Sequence, residues 1–198
     1  MSAAFAVEVA ATAARLIVEE GLEYGPAKRR AAQALGRSRA RSAELPDNLA
    51  IEAEVRAYLT LFRADSQPSE LAALRRLARR WMQRLAEFRP HLSGAVWRGT
   101  ATRLNDIHLQ LFCDDSKAAE ISLINEGVRF DVGSANGFRG DTVDVLSLAG
   151  TCPELGAAVT VHLSIHDHDD LRGALRPDAS GRTQRGDLAG LDKLEGLA

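Results

Sequence analysis

Apolar residues recur at three- and four-residue steps through the first ninety positions. After Pro90 they alternate with polar ones. The first texture predicts four helices. Residues 3–22 are rich in Ala, Val, Leu and Ile without strict alternation. A shorter helix over 26–35 follows Gly25-Pro26 and stops at Gly36, the proline-first, glycine-last order that helix ends favour. Residues 37–46 are polar and basic and read as a loop. Asp47 is placed to cap a third helix running to Phe62, with Ile51, Val55, Tyr58, Leu59 and Phe62 on one face. The fourth begins near Pro68-Ser69 and carries the clearest stripe: Leu71, Leu74, Ala78, Trp81, Leu85 and Phe88.

The second texture predicts a strand over 107–112, a helix over 116–126 closed by Gly127, and strands over 128–132, 142–148 and 157–165. Residues 175–198 hold Pro177 and scattered charge, and read as a loose tail with at most one short closing helix. The fold class is therefore α+β: an N-terminal helical segment, then a mixed or antiparallel sheet with flanking helices. The divisions fall at 1–66, 67–174 and 175–198.

Composition is ordinary for a globular chain, at 45% hydrophobic and 26% charged, which excludes disorder and collagen. The net charge of −2 conceals a division. Residues 1–100 carry 16 Lys/Arg and 11 Asp/Glu, and residues 101–198 carry 9 and 16. The front is basic and the back acidic. Cys113 and Cys152 form no CxxC and read as reduced thiols of a cytoplasmic protein. The N-terminus lacks a basic n-region, and no stretch has the length of a membrane span. No GxxxxGK[ST], GxGxxG or GxSxG is present, so P-loop, dinucleotide-binding and hydrolase-elbow chemistries have no support.

The densest local signal runs from Gly94 to Leu109: Gly-Ala-Val-Trp-Arg-Gly-Thr-Ala-Thr-Arg-Leu-Asn-Asp-Ile-His-Leu. It resembles the signature of the polymerase-beta-like nucleotidyltransferase superfamily. In that signature Gly-Ser opens a turn and short helix, Arg-Gly follows, and Ser-Asp-x-Asp begins a strand. Gly94-Ala95 falls on the first pair, Arg98-Gly99 on the second, Asn105-Asp106 on Ser-Asp, and His108 on the second Asp. The resemblance implies a nucleotidyl group transferred from a nucleoside triphosphate to a protein, RNA or small-molecule hydroxyl, as in a small bacterial-type transferase. It implies Gly94, Arg98, Gly99 and Thr100 at the nucleotide, and a divalent metal, Mg²⁺ or Mn²⁺, at Asp106 and His108. Asp144 is the candidate third acid, as metal ligand or catalytic base; the neighbouring strand would put His162 there instead. Two positions depart from the pattern. Ala95 lacks the serine hydroxyl, and His108 puts an imidazole where Mg²⁺ wants an oxygen. The alternative is therefore a catalytically degenerate nucleotidyltransferase fold, a pseudoenzyme acting as a binding or regulatory module.

Other clusters carry paired readings. His166, Asp167, His168 and Asp170 end the last strand, either as transition-metal ligands or as a polar strand end. Arg75, Arg76, Arg80 and Arg84, with Arg79, form a basic helix face, either a surface for a protein or RNA partner or a solvated face. Lys28-Arg29-Arg30 and 37–41 are too short and broken for a nucleic-acid tail, and Arg185-Gly-Asp187 has no adhesive meaning here. Phe5, Val7, Val9, Leu16, Ile17 and Val18 form an apolar face on the first helix, either homodimer surface or core.

Overall fold

A computed structural model describes residues 2–38, 40–41, 44–178 and 181–196. The chain divides into two units, Met1–Glu70 with Thr100–Leu104, and Leu71–Gly99 with Asn105–Ala198.

In the first unit the three expected helices form as α1 (Ser2–Glu20), α2 (Tyr24–Ala34) and α3 (Asn48–Phe62). Asp47 caps α3 as its sequence position predicts, accepting a 2.7 Å hydrogen bond from the Ala50 amide. Small side chains set the packing. Ala10, Ala13, Ala14, Ala27, Ala31 and Ala32 are buried with Val9, Ile17, Ile51 and Val55, so the helices lie close together. Phe5, Val9, Leu16, Ile17 and Val18 of the apolar face are core; Val7 is exposed. Buried Glu70 accepts from Arg63 at 3.2 Å and from the Arg103 amide at 2.9 Å, tying residues 100–104 into this unit.

The second unit opens with most of α4 (Gln67–Arg84), which runs into a 3-10 turn, Ala86–Phe88. Leu74, Ala78, Trp81, Leu85 and Phe88 of the expected stripe are buried. The sheet has six strands: β1 (His91–Ser93), β2 (Ile107–Cys113), β3 (Asp131–Asn136), β4 (Thr142–Cys152), β5 (Ala157–Asp167) and β6 (Arg185–Gly186), in the order β3-β4-β5-β2-β1-β6. Among the described residues it is accompanied by α5 (Gly94–Arg98), α6 (Ala118–Asn125), α7 (Leu171–Ala174) and α8 (Leu188–Leu194). After β2 the chain crosses through α6 to the far edge. It returns through β3, β4 and β5 in antiparallel steps, so β5 lies parallel to β2 and beside it.

Three expectations shift. The strand expected at 128–132 lies at Asp131–Asn136, because its register is set by the turn at 137–141 that pairs Asn136 with Thr142. β1 lies just before Gly94, where the sequence pattern predicts no element. Within 175–198 the one closing helix forms as α8, but β6 also pairs with β1 and completes the sheet edge.

The register fixes what each face carries, since neighbours across a sheet share a face and residues two apart repeat it. Leu109, Leu111, Leu146, Leu148, Leu163 and Ile165 lie on one face, all buried. Leu77 and Trp81 of α4 meet it at Gly150, where an added methyl would sit 3.1–3.2 Å from them. The other face buries Phe112 and Val143 toward one end and is polar along its middle. Its central row is Asp131, Ser147, His162, His108, Ser93 and Arg185, one residue from each strand.

Candidate functional site

The polar face gathers three of the residues that the sequence pointed to. Asp106 stands just before β2, with 47% of its side chain exposed. His108 and His162 are register partners on β2 and β5, and their rings stack with centroids 5.0 Å apart. Nε2 of His162 lies 3.2 Å from Oδ2 of Asp106, and its Nδ1 lies 2.8 Å from Oγ of Ser147. A neutral ring satisfies both contacts when Nε2–H donates to Asp106 and the Ser147 hydroxyl donates to Nδ1. Both nitrogens of His162 are then engaged. Ser147 was not foreseen; the signal was its place two strands along the row that contains His108, visible only once the register is known.

Gly94 adjoins this row. It has φ +73° at the start of α5, and a methyl there would meet Cδ2 of His108 at 3.4 Å. Arg98, Gly99 and Thr100, expected beside it, sit at the opposite end of the helix. Gly99 has φ +81° and closes α5, and the Arg75 guanidinium donates to the carbonyls of Val96 (3.2 Å) and Trp97 (3.4 Å) next to it. Thr100 is buried and belongs to the first unit. Gly94 lies against His108 of the Asp106–His108–His162 group.

Asp144 does not join that group. It lies between Val143 and Val145 on β4, and Ser147, three residues on, faces the other way. Its parity puts it with Leu146 and Leu148, on the face opposite Asp106. There it pairs with Lys117 at 3.1 Å. The position beside β2 that a third acid would occupy is held by His162, the alternative the sequence left open.

The donor set does not fit a pair of Mg²⁺ ions. It contains one carboxylate and two imidazoles, and stacked rings 5.0 Å apart do not aim their in-plane nitrogens at one ion. Among the described residues no group of three or more His, Cys, Asp or Glu side chains is arranged to hold a metal ion. The strand-end cluster also disperses. His166 is buried against the Phe138 ring, with centroids 4.4 Å apart. His168 faces Asp114 at 3.8 Å, and Asp170 pairs with Arg139 at 2.8 Å. Burial pushes the His166 pKa down, against a smaller upward pull from Asp170. Burial, then Asp115 and Asp114, push the Cys113 thiol up, the opposite of what a nucleophile requires.

The arginine face of α4 is engaged within its own unit. Arg76 pairs with Glu154 at 3.0 Å, Arg84 with Glu126 at 2.5 Å, and Arg79 with both Asp192 and Glu195. Arg80 donates to the Thr151 carbonyl at 3.1 Å.

No protein-family model matches the sequence, and neither does that of any curated protein. Solved structures of Cid1, which has RNA terminal uridylyl transferase activity, are similar to part of the chain. The complex with the UTP analogue UMPNPP matches with a TM-score of 0.31 and 19% identity, over 50% of this chain and 30% of that one. The complex with the short product ApU matches with a TM-score of 0.31 and 20% identity, over 53% and 31%. The chain thus spans about a third of the Cid1 length. No helix among the described residues is long and apolar enough to cross a membrane. The architecture is α+β, with N-terminal helices and a six-stranded mixed sheet flanked by helices.

Proposed function

We propose that this chain is a nucleotidyltransferase-like domain that works as a binding or regulatory module and does not perform metal-dependent transfer. The single observation that carries this reading is the placement of Asp144 on the face opposite Asp106, with His162 beside β2 in its stead. A two-metal transfer needs several carboxylates converging to offset the charge of two dications. Asp106 is the carboxylate in contact with His162, to which it is already hydrogen-bonded, and Asp131, at the far end of the same row, lies on β3, three strands from β2.

The ligand to test first is a nucleoside triphosphate. Gly94 at the end of β1, beside the half-open polar row, supports that choice. The enzyme reading keeps one supporting observation, the exposure of Asp106. Thermal shift with ATP and UTP, each alone and with Mg²⁺ or Mn²⁺, separates the two. A binding module gives the same shift with and without metal. A metal-dependent shift that vanishes in Asp106→Ala overturns the proposal in favour of the enzyme.

A further inference from the structure

A cleft of about 460 Å³ opens at the end of the polar face, walled by Phe138, Arg139, Asp169, Asp170, Arg176 and Arg185. Its size suits a small ligand. Its charge is unusual in how it is satisfied. Arg139 is neutralised by Asp170, whose side chain is only 5% exposed. Arg185 has no such counter-ion: among the described residues it forms no ion pair. One of its terminal nitrogens donates to the Ala174 carbonyl at 2.9 Å, its guanidinium lies 4.7 Å from the centre of the Phe138 ring, and its Nε is buried without an acceptor. Burial holds its pKa below the ordinary arginine value. A desolvated guanidinium that is not paired costs stability, and a planar fork of donors is matched best by an oxyanion. Arg176 adds an exposed cation at the rim, while Phe138, Gly173 and Ala174 supply apolar wall.

We propose that this cleft binds a small organic oxyanion, a phosphate monoester or a carboxylate on a compact apolar body, with Arg185 receiving the anionic group and Phe138 contacting the body. The inference does not rest on the proposed function, because Asp106, His108 and His162 take no part in this cleft.

Calorimetric titration of the full chain with phenyl phosphate, benzoate and inorganic phosphate tests it. Saturable binding of phenyl phosphate or benzoate is expected, tighter than that of inorganic phosphate, and the tighter of the two identifies the anion. Affinity falls about tenfold or more in Arg185→Gln, the loss of a charge-assisted bond. It is unchanged in Arg129→Gln, which removes an exposed cation elsewhere. If Arg185→Gln does not fold, the rim variant Arg176→Glu decides, since it changes an exposed residue and must weaken the same anion. Absence of saturable binding by all three anions overturns the proposal. So does equal affinity in the wild type and Arg185→Gln, an unchanged affinity in Arg176→Glu, or an equal loss in Arg129→Gln.

Discussion

At the scale of single residues, backbone conformation and face decide what each candidate can do. Gly94 holds φ +73° against His108. Gly94→Ala forces a side chain into the left-handed region and is expected to cost about 1–2 kcal/mol, read as a lower urea midpoint. Asp106, His108 and Gly94 were legible because the motif spacing needs only local geometry. The choice between Asp144 and His162 was not, since a period of two gives a residue's face only relative to its own strand. His166 illustrates a second limit: the sequence shows an imidazole at a strand end but not that Phe138 covers it. Its pKa is lowered by burial, so the folded state favours the neutral ring. The stability this contributes is present above the ordinary histidine value of about 6.5 and is lost as the pH falls below it. The wild type therefore loses more stability than His166→Phe between about pH 7 and 5, in denaturant titrations at each pH. Equal losses would contradict this.

At the scale of elements, the helices were read well because their signals are local. Asp47 is followed by the periodic run it caps, and Asp47→Ala is expected to cost about 1 kcal/mol by the same measurement. The strands β1 and β6 were missed because each is two or three residues long and gains its identity from a partner. β3 was misplaced because all its positions are exposed, so burial leaves no alternation to read. The β6 edge depends on a glycine. A methyl at Gly186 would sit 2.1 Å from Cη2 of Trp97, whose Nε1 donates to the Thr183 carbonyl at 2.8 Å. Gly186→Ala is therefore expected to release β6 from β1. The amides of 185–186 and of α8 should then exchange faster with deuterium while those of β4 and β5 keep their protection.

At the scale of the molecule, the division between basic front and acidic back acquires a structural account. The arginines of α4 are contributed by the basic half of the sequence, and Glu126, Glu154, Asp192 and Glu195, which pair with them, by the acidic half. The asymmetry along the chain is thus largely cancelled within the second unit, and it reports on internal pairing more than on a phosphate-bearing partner. The polar face is where the two proposals meet: one carboxylate beside two stacked imidazoles at its centre, and a cationic cleft at its end. The most direct measurement is nucleotidyl transfer itself. The pure protein is incubated with labelled nucleoside triphosphates and Mg²⁺, Mn²⁺ or Zn²⁺, with RNA and protein acceptors present. A binding module without transfer chemistry leaves no transferred label under any metal. Label that appears with the wild type and is lost in Asp106→Ala would contradict that reading.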